Sequence, residues 1–136
     1  MSIKKSIFND RSTGKFLGFV NYGEDVVTTD PDKIAREALV FMLVGLRGHW
    51  KMPVGYVLID HFNGNEFCCL ISMALSLSRN HNLKVRSVTC DGLSSNFTGL
   101  TQLGCVFGKE LSNIKVSFNF DGFEDTIMLF RIRVIC

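Results

Sequence analysis

Asp91 and Gly92 close the run Lys84 to Cys90 (KVRSVTC), and an aspartate in that place has two chemical readings. Asp-Gly is a common turn signal, because Gly accepts positive φ and Asp bonds its own backbone. It is also what a metal site would need, since open α/β sheets gather ligands at the carboxyl ends of their strands and a hard divalent cation takes carboxylate oxygens. Asp60-His61, at the end of Pro53 to Asp60 (PVGYVLID), could act as a carboxylate–imidazole pair. No nucleophile accompanies it, so a solvated strand end is expected. Trp50, Phe16, Phe19 and Phe41 could stack bases, yet the phenylalanines fall inside expected strands, where core packing is the expected role. Glu66 and Glu110 are expected at the surface, and Cys68-Cys69 in the core of a helix.

Metal and redox chemistry of other kinds finds little support. The cysteines are Cys68, Cys69, Cys90, Cys105 and Cys136, an odd number without C-x-x-C spacing, and no apolar signal segment opens the chain, so a reducing compartment is expected. His49, His61 and His81 are far apart and carry no second ligand at zinc spacing. The formal charge is +2 and the basic residues are scattered, so charge alone points to neither nucleic acid nor a membrane surface. The longest apolar stretch, Ala38 to Leu46, is far short of the roughly 20 residues that cross a bilayer. With 136 residues, 46% of them hydrophobic and only 2 prolines, the chain suits one packed domain.

The elements that would position these residues follow from the apolar spacing. Lys15 to Tyr22 (KFLGFVNY) lies between Gly14 and Gly23 and reads as a strand. Asp30-Pro31 breaks the chain. Ala38 to Leu46 (ALVFMLVGL) fits a buried helix or strand by itself; the turn at Arg47-Gly48-His49 and the strand after it favour a hairpin. From Asn65 to about Asn80, Phe67, Leu70, Ile71, Ala74, Leu75 and Leu77 recur at three and four, which predicts one helix with an apolar stripe. The strand Lys84 to Cys90 after it completes a crossover unit, which joins parallel strands. Ser94, Ser95 and Asn96 supply capping chemistry for a short helix ending near Gly104, and Lys115 to Phe120 and Thr126 to Val134 read as strands. The expected fold class is α/β with a mixed sheet: an antiparallel meander plus a parallel crossover strand, with helices.

Several blocks, taken in order, resemble the P-element-type DNA transposases, including the THAP domain-containing transposases of animals. Met1-Ser2-Ile3-Lys4 resembles the stretch that closes the family's first catalytic strand, and Thr13 to Gly23 (TGKFLGFVNYG) resembles its second strand. Ala38 to Lys51, with LVFMLVGLRGHWK within it, followed by Pro53 to Tyr56, resembles the next hairpin. Val88 to Gly92 (VTCDG), with Asn96 and Leu103-Gly104, resembles the second catalytic strand and its helix. The resemblance covers residues 1 to about 120 of a single partial domain spanning 1–136; the tail 121–136 departs from the pattern, since Arg131 to Cys136 stands where the family has an acidic residue and a histidine.

The resemblance implies a truncated RNase H-like fold whose acidic residues bind divalent metal, usually magnesium, for DNA strand cleavage and transfer. By position Asp91 matches the second acidic residue, as catalytic and metal-binding group. The first is expected upstream of Met1 and the final glutamate downstream of this chain, so the chain alone is expected to be inactive. DNA, full-length transposase subunits and a nuclear location are implied by the same resemblance. It also implies a central strand that this chain mostly lacks, with its neighbours left unpaired unless Met1 to Phe8 occupies the gap.

Overall fold

The computed structural model describes residues 1–23, 26–28, 30–108 and 110–131. The chain divides into two compact units, Met1–His61 and Phe62–Cys136.

In the first unit, β1 (Phe8–Asp10) and β2 (Lys15–Leu17) form an antiparallel ribbon. Its turn is built by Asp10, whose carboxylate accepts hydrogen bonds from the Ser12 amide (2.9 Å), the Ser12 hydroxyl (2.7 Å) and the Thr13 hydroxyl (2.7 Å). The strand expected over Lys15 to Tyr22 stops at Leu17, because Gly18 has a φ of 110° and a side chain there would overlap the Ser6 carbonyl. Beyond that kink the extended path resumes as single bridges, Phe19 to Ile34 and Asn21 to Leu58. Alternation then buries Val20 and Tyr22. Phe16 is 63% exposed, against the expectation of core packing, while Phe19 and Phe41 are half-buried.

The ambiguous apolar run is a strand: β3 (Glu37–Val44) pairs antiparallel with β4 (Lys51–Ile59). A register shift falls between Phe41 and Met42, where Val54 is the extra residue on β4. The hairpin is buried at one end only, through Ala38, Val57 and Ile59, and its distal half is exposed. Residues Met1–Ile3 lie antiparallel to the start of β3. The Ala38 amide donates to the Met1 carbonyl (2.8 Å) and the Ile3 amide to the Arg36 carbonyl (2.9 Å). The amino-terminal segment therefore covers β3 as far as Ala38.

The second unit opens with α1 (Gly64–Asn80). Asn63 and Glu66 form a capping box: the Asn63 side chain accepts from the Glu66 amide (3.0 Å), and Glu66 accepts from the Asn63 amide (2.9 Å). That role buries Glu66, contrary to its expected surface position. The apolar stripe is inward at Phe67, Leu70, Ile71 and Leu75, but Leu77 is exposed, as is Cys69; Cys68 is half-buried. Asn82, with a φ of 56°, turns the chain out of the helix.

A three-stranded mixed sheet follows, in the order β5 (Ser87–Cys90), β7 (Ile127–Arg131), β6 (Ser117–Phe118). β5 runs parallel to β7 and β6 antiparallel to it. The mixed α/β class is as expected, but the hydrogen-bonded parallel partner of β5 is β7, and the meander strands β3 and β4 form a separate two-stranded sheet. Between β5 and β6 lies α2 (Ser94–Gln102), which crosses α1 where two glycines meet. A Cβ on Gly99 would stand 2.7 Å from the Gly64 carbonyl oxygen. Leu70, Leu100, Phe118 and Ile127 are fully buried in this unit. The expected strand end beyond Arg131 lies outside the described residues.

Candidate functional site around Asp91

β5 delivers Asp91 to the carboxyl end of a parallel strand pair, one residue beyond the Cys90–Arg131 register. Its ladder with β7 starts at the Arg86 carbonyl, which accepts from the Met128 amide (3.0 Å), and the strand ends where Gly92 and Leu93 lead into α2. The serines expected as caps do not cap: Leu93 is the N-cap residue and makes no side-chain cap bond. Asn96 reaches back to Asp91 instead. Its Nδ2 donates to the Asp91 carboxylate Oδ1 (2.5 Å) and to the Asp91 carbonyl (3.2 Å), and the Leu93 amide also donates to Oδ1 at 3.4 Å.

This arrangement is directional. Asn96 is 3% exposed, so its amide is a fixed part of the first turn of α2. Its carbonyl Oδ1 is buried and lacks a hydrogen-bond partner. Reversing the amide would set that oxygen against the Asp91 carboxylate, two acceptors facing each other, which selects the orientation observed. Asp91 itself is exposed, and its Oδ2 accepts no hydrogen bond from a described residue. One oxygen is therefore held by the fold and the other is free to face a ligand.

The neighbouring thiol is silent. Burial first, then the charge of Asp91 and the proximity of Cys105, push the Cys90 pKa up, so it stays a thiol near neutral pH and offers neither a nucleophile nor a soft ligand. The four described cysteines are free.

Other sequence candidates disperse. Asp60 is not a solvated strand end: its side chain is 12% exposed and its Oδ1 lies 2.6 Å from Arg36 Nε. That approach is an ion pair without hydrogen-bond alignment, as the same oxygen makes no hydrogen bond of good angle. His61 is exposed, and its backbone carbonyl, not its ring, accepts from the Tyr22 hydroxyl at 3.5 Å. Glu110 is exposed as expected, and Trp50 is 48% exposed at the hairpin turn. Asp10 is committed to its own turn. Among the described residues no group of three or more His, Cys, Asp or Glu side chains could hold a metal ion. Asp91 by itself does not make a magnesium site, because a hard cation takes about six oxygen ligands.

Sequence reasoning named Asp91 but missed the grip of Asn96 on it, reading that asparagine as part of a cap. The spacing of five residues between a strand-end Asp and an Asn in the next helix was the available signal.

Residues 1–104 match the family described as TNP-like, RNase H N-terminal domain. The chain belongs to this family. It is 26% identical over 104 residues to the DNA transposase THAP9 of Homo sapiens, a stretch that is 76% of this chain and 12% of that protein. Its fold is similar to that in the Drosophila P element transposase strand transfer complex, with a TM-score of 0.68 and 16% identity over 96% of this chain and 24% of that one. The chain thus spans a minor part of the length of both relatives. The architecture is RNase H-like, and the TNP-like domain here carries Asp91 inside the matched region, at the end of its parallel strand. No helix among the described residues is long and apolar enough to cross a membrane.

Proposed function

We propose that this chain is part of the RNase H-like catalytic domain of a P-element-type DNA transposase, and that Asp91 is one carboxylate of its divalent-metal site. The observation that carries the reading is the Asn96 clamp: a buried amide orients one Asp91 oxygen and leaves the other uncommitted at the carboxyl end of β5. A structural turn aspartate would spend both oxygens on its own loop, as Asp10 does with Ser12 and Thr13, whereas Asp91 spends only Oδ1.

In this reading DNA is the macromolecular partner, supported by the relatives, and the nucleus is the compartment proposed with it. Bound divalent ions supply Lewis-acid stabilisation of phosphodiester oxygens in such sites. This chain's contribution is to hold one ligand in place: β5 fixes the backbone of Asp91 and α2 fixes its carboxylate through Asn96. A site of this kind needs several converging carboxylates, and among the described residues no group of three or more His, Cys, Asp or Glu side chains could hold a metal ion, so in this reading the chain by itself does not cleave DNA.

Titration of the chain with Mn2+ while recording amide resonances tests the site. Paramagnetic broadening centred on Asp91 to Asn96, and lost in Asp91→Asn, is the expected result. Broadening spread evenly over exposed carboxylates, unchanged by Asp91→Asn, would remove the metal role. DNA cleavage by the unaltered chain in Mg2+, abolished by Asp91→Ala, would overturn the claim that it is inactive alone. A second reading is a non-catalytic remnant that binds full-length transposase subunits, favoured by the exposed apolar residues of the β3–β4 hairpin.

A further inference from the structure

The tip of the β3–β4 hairpin gathers side chains that the Asp91 site does not use. Between Ala38 and Ile59 the chain has no aspartate or glutamate, and its formal charges there are Arg47 and Lys51. The other 13 basic residues of the chain are matched by its 13 acidic ones, so the net charge of +2 is the charge of this hairpin. The fold sets both cations at one end of it. Arg47 stands in the turn with His49, and Lys51 opens β4, opposite Val44. All three residues are exposed, and neither cation forms an ion pair among the described residues.

Trp50, the one tryptophan of the chain, stands between His49 and Lys51. Its backbone carbonyl accepts from the Gly45 amide (3.1 Å), and its indole lies across the α-carbon of Gly45, where any side chain would overlap the ring. Glycine at that position lets the backbone seat the indole. Gly48, with a φ of 89°, makes the turn that returns the chain to it. The ring is thus held in place and still 48% exposed. Little ordering is left to be done when a flat partner arrives. Alternation sets Trp50 and Lys51 on opposite faces of the hairpin, so the surface they share is its tip and not one face of the sheet.

A seated aromatic ring and two unpaired cations select one kind of partner. An apolar surface would leave Arg47 and Lys51 without counter-charges, and a small anion would leave the indole unused. A nucleic-acid strand uses both, since its phosphates pair with the cations and a base stacks on the ring. In a duplex the base faces are already covered by their neighbours, so the strand that fits is a single one. We propose that the hairpin tip binds single-stranded nucleic acid, with one base stacked on Trp50 and the flanking phosphates neutralised by Arg47 and Lys51. The inference rests on the reading of DNA as the partner and not on the metal role of Asp91, so failure of the Mn2+ experiment leaves it standing.

Because the chain has one tryptophan, its intrinsic fluorescence reports this site alone. Oligothymidylate added to the full chain without divalent metal is expected to quench it, while the anisotropy of a labelled oligothymidylate gives the affinity. Trp50→Ala should weaken binding by roughly 5- to 150-fold, the range that one stacked base contributes. Arg47→Gln with Lys51→Gln, both at exposed positions, should lower the slope of log affinity against log salt by about 1.4, since each phosphate contact on a single strand contributes about 0.7. Circular dichroism checks that each variant keeps its fold. Binding that leaves Trp50 fluorescence unchanged and is insensitive to these variants would overturn the role of the tip and leave the DNA reading intact. A duplex that binds where oligothymidylate does not would overturn the single-strand assignment, again leaving that reading intact. Absence of binding to either would remove both. Quenching by phosphatidylserine vesicles and not by oligothymidylate would overturn the proposal and assign the tip to a lipid surface.

Discussion

Replacing Gly99 by alanine should destabilise the second unit although alanine is the better helix former. A methyl group at Gly99 meets the Gly64 carbonyl oxygen at 2.7 Å, the Phe67 ring at 2.8 Å and the Cys68 amide nitrogen at 3.1 Å, where ordinary contact begins at 3.4 Å. Two of the three are backbone atoms of α1 and cannot swing aside, so the helices must part by roughly 0.7 Å, and overpacking of this kind costs about 1–3 kcal/mol. Alanine in a helix interior returns about 1 kcal/mol over glycine. With the cost at its upper end, the net loss is about 2 kcal/mol, a factor of roughly 30 in the ratio of folded to unfolded chains. Urea unfolding followed by far-ultraviolet circular dichroism reads this as a lowered midpoint at unchanged slope. Gly55→Ala, where nothing lies within 4 Å of the added carbon, serves as the parallel case and should shift stability by less than about 0.5 kcal/mol. Because α2 also carries Asn96, the Gly99→Ala chain should show amide shift changes at Asp91. A Gly99→Ala chain as stable as the parent would refute the claim that close backbone approach sets the α1–α2 crossing.

Two further outcomes follow from local hydrogen bonding. Asn63→Ala removes the side-chain half of the capping box, the Asn63 Oδ1 that accepts from the Glu66 amide, so stability should fall by about 0.5–2 kcal/mol in the same urea assay. Asp10 has its pKa lowered to about 2, chiefly by the Ser12 hydroxyl, then by the Thr13 hydroxyl and the Ser12 amide. A depressed folded-state value means that its contribution to the β1–β2 turn is present above the unfolded value near 3.8 and lost as pH falls through about 2. Carboxyl carbon NMR should follow that titration, and Ser12→Ala with Thr13→Ala should return it toward the ordinary aspartate range.

Much of this protein was already determined by its sequence. The three-and-four spacing of Phe67, Leu70, Ile71 and Leu75 can be satisfied by one helix face. The hairpin of β3 and β4 follows from two strand-forming runs around a short turn, and Asp91 at the end of β5 from the Asp-Gly step after KVRSVTC. Only the tertiary structure decided the rest, because it depends on contacts between residues distant in sequence. Period alone could not show that Gly18 would kink the expected strand against Ser6, nor that Arg36 would pair with Asp60. Hydrophobicity predicted burial for Phe16 and for all of Ala38 to Leu46, but burial requires a second surface, and the described fold covers only the Ala38 end of the hairpin. The Asn96 side chain was read as a helix cap because capping is the local use of asparagine. It became a clamp because α2 packs on α1 at Gly64 and Gly99, which turns the first turn of α2 toward the end of β5.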